Sequence, residues 1–417
     1  MIDKGEISFE GGKQNLPDGW KWVKLGDYTT KIGSGITPRG GQSSYLKTGI
    51  PLIRSQNVHI NYFEENGLAF ISKEQDEEME ASRVIPGDVL LNITGASIGR
   101  VCVVPSKLCP ANVNQHVTII RSDGSWNPFF LAYFISTPDF QKFILDNQSG
   151  ATRQALTKSI IENFKIPLPP LHEQKRIAEI VNRQMEAVEK ARQNAIAQLE
   201  AAKELPTAYL RDVFSSPEAQ QWDRKRLKEV CDKITDGTHQ SPPFTTEGIP
   251  FLFVKNIVSG RIDFKVNQYI SQKTYEELTR RCKPIKGDVL FSAVGSFGIA
   301  VVIETDKPFI FQRHIALIKP KREQVDSHFL AFYLNSPSGR QQSELAALGV
   351  AQRTVTLKSL SDFEILLPPY TIQKHIAETL TEKLTEAEQL CKTLEEQLEA
   401  IKKLPASLLR QAFNGEI

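Results

Sequence analysis

Two short stretches carry the letters of catalytic motifs. Pro138-Asp139 followed by Glu173-Gln174-Lys175 spells the P-D…E-x-K order in which carboxylates hold the divalent ion of a metal-dependent nuclease. Ser241-Pro242-Pro243-Phe244 has the form of the S-P-P-[YF] element with which amino-methyltransferases hold a flipped base. The rest of the chain supports neither. Glu173 stands where a helix starts, and a carboxylate near the positive end of a helix is ordinary. A second copy of the pattern, set out below, has Ser338 and Ile372 at the matching places. The methyltransferase element needs a glycine-rich cofactor turn after a strand of a doubly wound sheet, and none stands near, so a Pro-rich turn explains it. Gly95 to Gly99 with Arg100, echoed by Gly295 to Gly298, lacks the G-K-[ST] ending of a phosphate-binding loop and reads as a tight turn between strands. Five cysteines without a C-x-x-C pair indicate neither a disulfide framework nor a zinc ribbon, and no metal site is expected.

A different chemistry runs through the polar loops. Reading base edges needs side chains with paired donors and acceptors, Arg or Lys for guanine and Asn or Gln for adenine. Arg54, Gln56 and Asn57, then Asn114, Gln115 and His116, supply them early in the chain; Lys255 and Asn256, then Gln312, Arg313 and His314, supply them at matching places later. Arg153, in Thr152-Arg153-Gln154, and Arg353, in Gln352-Arg353-Thr354, form a further matched pair. The loops holding Ser34 and Thr37, and Thr238 and His239, have the small and hydroxyl residues that bring amides and hydroxyls near phosphates. Singly, each is also what a plain turn uses. As a matched set they point to nucleic acid.

The matching comes from an internal repeat with an offset close to 199 residues. Gly49-Ile50-Pro51 answers Gly248-Ile249-Pro250, and Gly87-Asp88-Val89-Leu90 answers Gly287-Asp288-Val289-Leu290. Phe130-Leu131-Ala132, Leu168-Pro169-Pro170 and Gln174-Lys175 recur in the same order as Phe329-Leu330-Ala331, Leu367-Pro368-Pro369 and Gln373-Lys374. From about Leu16 to Pro170, and from Trp222 to Pro369, short β-branched runs alternate with Gly, Pro and Asn turns, which predicts two mainly-β or α+β domains.

A long helical pattern follows each Pro-Pro. Val181, Val188, Ala195 and Ala202 fall seven apart, as do Leu380, Ala387, Leu394 and Ile401. Ile177 and Ala191, and Ile376 and Leu390, add a second seam, and Leu199 and Leu398 belong to the same apolar faces. Two such helices in one chain are expected to bury their seams against each other. Each meets a proline, Pro206 or Pro405, expected to end it and start a short helix. A helix from Leu171 to Leu205 would be roughly 50 Å long at 1.5 Å per residue, which makes it a ruler. The expected boundaries are residues 1–170 and 215–369 for the domains, and 171–214 and 370–417 for the helices.

Composition sets the outer limits. With 40% hydrophobic and 24% charged residues, 417 residues are enough for two or three globular domains. The apolar runs are strand-sized, far below the roughly 20 residues of a membrane span. Met1 to Lys13 shows no apolar core with a cleavage site, so a cytoplasmic protein is expected. A net charge of +2 means that any affinity for nucleic acid rests on local charge.

Taken in order, the opening Trp22-Val23-Lys24-Leu25-Gly26-Asp27, the G-D-V-L strand followed by Gly95-Ala96-Ser97-Ile98-Gly99, the Leu-Pro-Pro, and Glu173-Gln174-Lys175-Arg176-Ile177-Ala178 resemble the specificity subunit of type I restriction-modification systems. The resemblance covers nearly the whole chain after Leu16. It implies an α+β fold of two tandem target recognition domains, each followed by a long helix, the two helices pairing as an antiparallel coiled coil. It also implies that each domain reads one half of a split double-stranded DNA site and that the helices fix the gap and dock two methyltransferase subunits. This chain would then bind no cofactor of its own. S-adenosylmethionine would serve the methyltransferase subunits, and ATP and Mg the motor-nuclease subunits. Tyr370-Thr371-Ile372 departs from Leu171-His172-Glu173, so equal contacts by the two junctions are not implied. Two alternatives stay open on sequence alone: a DNA amino-methyltransferase in its own right, and a coiled-coil adaptor for proteins.

Overall fold

The computed structural model describes residue 16 and residues 18–147, 155–347 and 353–417. Contacts divide the chain into two compact units, Met1–Asn194 with Gln397–Ile417, and Ala195–Glu396. Up to the first long helix the chain forms β1 (Lys21–Lys24), β2 (Thr29–Ser34), β3 (Ile50–Ile53), β4 (Ala69–Ile71), α1 (Lys73–Glu78), β5 (Arg83–Val84), β6 (Val89–Asn92), β7 (Val101–Val103), β8 (Ala111–Val113), β9 (Val117–Ser122), α2 (Pro128–Ile135), α3 (Pro138–Asp146), α4 (Lys158–Glu162) and β10 (Lys165–Leu168), then α5 (Leu171–Phe214). The second half repeats the series as β11 (Asp223–Arg226), β12 (Cys231–Asp236), β13 (Ile249–Leu252), β14 (Tyr269–Ile270), α6 (Gln272–Thr279), β15 (Val289–Ser292), β16 (Ala300–Val302), β17 (Ile310–Phe311), β18 (Ile315–Pro320), α7 (Ser327–Asn335), α8 (Pro337–Ala346), α9 (Leu357–Ser361) and β19 (Glu364–Leu367), then α10 (Tyr370–Phe413).

In the first unit an antiparallel sheet of order β2-β9-β6-β7 sits beside a mixed sheet β4-β3-β8-β5, in which β3 and β8 run parallel. The second unit has the order β12-β18-β15-β16 and a smaller sheet β14-β13-β17, with β13 parallel to β17. The strand after Gly-Asp opens with three apolar residues in a row because both its faces are buried. Val89 and Leu91 point into the core built by α2 to α4, while Leu90 points into the core shared with Ile53, Ala111 and Val113. Val289 and Phe291, against Leu290, repeat this alternation. The aspartate before each strand is buried. Asp88 Oδ2 accepts the Ile85 N–H at 2.8 Å and Oδ1 accepts from Arg121 Nε at 2.8 Å; Asp288 accepts the Ile285 N–H at 3.0 Å and pairs with Lys319.

A ribbon of β1 with β10, and another of β11 with β19, brings each domain's opening residues beside its Leu-Pro-Pro, where the long helix starts. Both long helices pass through their prolines, which corrects the expected break at Pro206 and Pro405. An interior proline costs about 3 kcal/mol or more. Continuing the helix buries Leu210 and Phe214 in one core and Leu409 and Ala412 in the other, and each fully buried large side chain contributes about 1.5–3 kcal/mol. The burial wins. In the second unit Phe214 packs edge-on against Phe329 and Tyr333, with centroids 5.4 and 5.3 Å apart; in the first, Phe413 packs against Phe130 and Phe134 at 5.1 and 5.2 Å.

Along the helices Ile177, Val181, Ala195, Leu199, Ala202, Leu380, Ala387, Leu394 and Ile401 are buried, and Val188, Ile376 and Leu398 partly so. Ala191 and Leu390 are exposed, so the second seam is only half used. The helices run antiparallel within the second unit: Lys203 reaches Glu395 at 3.7 Å, and further along Lys383 Nζ lies 5.4 Å from the Tyr209 ring centroid. No helix among the described residues is long and apolar enough to cross a membrane.

Candidate nucleic-acid interface

The polar loops singled out by type meet at one end of the sheets in each unit. In the first, the Gly35 N–H donates to the Asn114 carbonyl at 3.2 Å, tying the loop after β2 to the turn between β8 and β9. The Asn114 N–H donates to the Ile53 carbonyl at 3.0 Å, where β3 opens into Arg54 to Asn57, and the Asn92 side chain donates to the Ser55 carbonyl at 2.8 Å. Thr94 bridges to Ala155 beside the same cluster. The second unit repeats this with Thr238 bridged to Gln312, the Gln312 N–H on the Leu252 carbonyl at 3.1 Å, and Val294 bridged to Thr354.

Two glycines make the approach possible. A Cβ on Gly35 would lie 1.7 Å from the Val113 carbonyl oxygen, and one on Gly237 would lie 2.1 Å from that of Phe311. Only a residue without a side chain lets the hydroxyl-bearing loop lie against the end of the neighbouring strand.

The candidates differ sharply in what they have left to offer. Asn57 and Asn256 are buried: Asn57 Oδ1 accepts the Arg54 N–H at 3.0 Å and its Nδ2 donates to Glu64, while Asn256 does the same with Phe253 and Asp263. Their amides staple a loop, and neither presents an edge to a base, which corrects the expectation. Asn114 is also buried, with its Oδ1 on the His116 N–H at 3.1 Å. Arg54 is half-buried, donating to the Gly67 carbonyl at 2.6 Å over the Tyr45 ring; Gln56 is exposed and donates to the same carbonyl at 3.0 Å. His239 is exposed and contacts Asp236 at 2.8 Å, an aspartate that also holds Arg281, and Thr238 donates to the Gln240 carbonyl.

Ser34, Thr37, Gln115, Lys255, Arg313 and Arg353 are exposed. Gln115 touches Thr37 and His116, and His116 touches Thr94. Gln312 and His314 are partly buried and 3.2 Å apart. Burial and then the neighbouring Arg313 push His314 below the usual imidazole range, which keeps the ring neutral near pH 7 and able to accept from Gln312. Arg153, with Thr152, Gln154 and Gln352, lies outside the described residues. Sequence reasoning missed Thr94 and Tyr45. Nothing in their types marks them, because what matters is that the fold sets them under His116 and Arg54.

The catalytic look-alikes are placed otherwise. Glu173 is in the first turn of α5, and Arg176, 2.7 Å away, holds its carboxyl below the ordinary range. The Phe244 ring packs edge-on against Phe251 at 5.1 Å, as a turn residue does. In the described sheets the parallel pairs are β3 with β8 and β13 with β17, far from a doubly wound parallel sheet.

The model of the type I restriction modification DNA specificity domain matches the chain twice, over residues 17–198 and 219–400. The chain is similar to the putative type I restriction enzyme MjaX specificity subunit of Methanocaldococcus jannaschii, 26% identical over 94% of this chain and 93% of that one. It is also similar to the type I restriction enzyme EcoBI specificity subunit of Escherichia coli, 25% identical over 97% of this chain and 88% of the relative. The solved HsdS subunit of Thermoanaerobacter tengcongensis shares the fold, with a TM-score of 0.68 at 22% identity over 97% of this chain and 99% of that one. With both halves matched in order, the chain belongs to the family of the type I restriction modification DNA specificity domain.

Proposed function

We propose that this chain is the non-catalytic, sequence-reading subunit of a type I restriction-modification complex. The convergence of matched polar loops at one end of the sheets in each unit is the observation that carries the reading. Each unit reads one half of a bipartite site in double-stranded DNA. Because the exposed sets differ, Gln115 with Thr37 in one unit and Arg313 with Lys255 in the other, the two half-sites are different sequences. The paired helices set the gap between the halves and dock two methyltransferase subunits. S-adenosylmethionine belongs to those partners, and ATP and Mg to motor-nuclease subunits.

The test is a map of modified adenines in cells expressing the chain with its methyltransferase partner. A single two-part motif with a fixed gap, lost when the chain is deleted, supports the reading. Methylation that persists unchanged without the chain overturns it and favours a protein adaptor. DNA affinity of the purified complex should also fall steeply with salt as counterions are released.

A further inference from the structure

Within the first unit one exposed side chain is fixed at both ends. Gln115 lies in the tight turn between β8 and β9, held by the Val117 N–H on the Asn114 carbonyl at 3.2 Å and the Ile93 N–H on the His116 carbonyl at 3.0 Å. The Thr37 hydroxyl donates to Gln115 Oε1, and Gln115 Nε2 lies 3.2 Å from His116 Nε2. On the far side of the ring, His116 Nδ1 lies 2.6 Å from Thr94 Oγ1.

We propose that Gln115 reads an adenine in the half-site of the first unit, with Thr37 and His116 as the residues that set its amide plane. The inference rests on the DNA-reading function proposed above. A side-chain amide has two N–H donors and two carbonyl lone pairs. With the amide nitrogen toward His116, the ring nitrogen there accepts, the ring proton sits on Nδ1, and it is given to Thr94. One N–H and one lone pair remain on this exposed residue. With the amide turned over, Thr37 accepts, the His116 Nε2–H donates to Oε1, Thr94 donates to Nδ1, and again one N–H and one lone pair remain. Either way the free edge is a donor beside an acceptor. The major-groove edge of adenine has the complementary pair, N7 accepting and N6–H donating. Guanine offers two acceptors, and one of them would face the carbonyl lone pair.

Among the described residues, the second unit lacks this arrangement. Gln312 meets His314 at 3.2 Å, but the Thr238 hydroxyl is turned to the Gln240 carbonyl at 2.7 Å, so that amide is held at one end only. Adenine reading of this kind therefore belongs to one half-site.

The experiment uses the purified complex of the full chain with its methyltransferase partner and duplex DNA carrying the mapped site. Replacing residues 222–369 with those of a relative identifies the half-site of the first unit as the half that stays unchanged. Affinity is then measured for duplexes with A·T exchanged for G·C at each position of that half. For the wild type one position prefers A·T, and Gln115→Ala lowers that preference about tenfold or more, the size of one bidentate contact. The preferences of the second half-site stay as they were. His116→Ala and Thr37→Val lower the same preference by less, and Thr37→Ser restores it. An unchanged profile in Gln115→Ala, a loss centred on a G·C pair, or a loss of preference in both halves overturns the proposal. If the wild-type complex itself shows no sequence preference, it is the DNA-reading function that fails.

Discussion

The side chain of Gln174 accepts the backbone N–H of Asn127 at 2.7 Å, across 47 residues of sequence. Its amide nitrogen donates to the carbonyls of Ser125 and Pro169, both at 2.9 Å, and the residue is fully buried. Gln373 repeats all three bonds with Asp326 at 2.9 Å, Gln324 at 3.0 Å and Pro368 at 2.9 Å. The repeated Gln-Lys after each Pro-Pro is thus a clamp that fixes the start of a long helix to the loop leading into α2 or α7.

Gln174→Ala should therefore leave the part-buried Asn127 N–H, the part-buried Ser125 carbonyl and the buried Pro169 carbonyl short of a partner. Each such group costs about 1–3 kcal/mol, and some of them will reach water, so a loss of about 2–4 kcal/mol is expected. Denaturant unfolding of the full chain measures it, and hydrogen exchange at the Asn127 amide should speed up in the variant. A loss below about 1 kcal/mol would show that the clamp is not needed.

Gly35→Ala and Gly237→Ala are expected to act on reading more than on folding. Each new Cβ collides with a backbone oxygen, of Val113 or Phe311, and neither oxygen sits on a flexible side chain that could swing aside. The loop must move instead, carrying Thr37 or Thr238 with it. Under the proposed function, each variant should weaken recognition of one half-site and spare the other. Binding to duplexes altered in one half at a time checks this, and equal damage to both halves by Gly35→Ala would count against the assignment of loops to half-sites.

How much of this was legible beforehand depends on which physical property carried the information. The strands after Gly87-Asp88 and Gly287-Asp288 could be read because burial on both faces leaves a continuous apolar run, and the long helices could be read from apolar residues seven apart. The passage through Pro206 could not. A local rule argues for a break there, and it is overruled by Phe214 reaching the ring of Phe329, a contact 115 residues away that no local pattern encodes. The same holds among the loop residues. Asn57 and Gln115 are alike in type and setting, yet one side chain turns inward to staple its own loop and the other stays at the surface.

Acid stability gives a further check through Asp76. The Arg83 guanidinium, 2.6 Å away, holds the Asp76 carboxyl below its ordinary range against the opposing effect of burial, and Asn112 adds a second hydrogen bond. A carboxyl depressed in the folded state stabilises the fold above its unfolded value, near 3.9. That contribution disappears as pH falls through the folded value. The stability difference between wild type and Asp76→Asn should accordingly shrink as pH drops below about 4. Urea midpoints from pH 3 to pH 6 measure it, and a difference that stays constant over that range would rule out the charge as its source.

The ends of the long helices supply the last prediction, because each end is packed among the aromatic residues of a unit distant in sequence from the start of its helix. Phe214 is 1% exposed between Phe329 and Tyr333, so Phe214→Ala should cost the second unit about 3–5 kcal/mol, the range for a fully buried phenylalanine. Phe413 is only partly buried against Phe130 and Phe134, so Phe413→Ala should cost less, about 2–3 kcal/mol, and the cost should fall on the first unit although the residue lies near the C-terminus. Hydrogen exchange resolved along the chain separates the two effects. Phe413→Ala should raise exchange in α2 and leave α7 unchanged, and Phe214→Ala should do the reverse. If instead Phe413→Ala loosened only its own helix, the aromatic contacts with Phe130 and Phe134 would not be holding the first unit together.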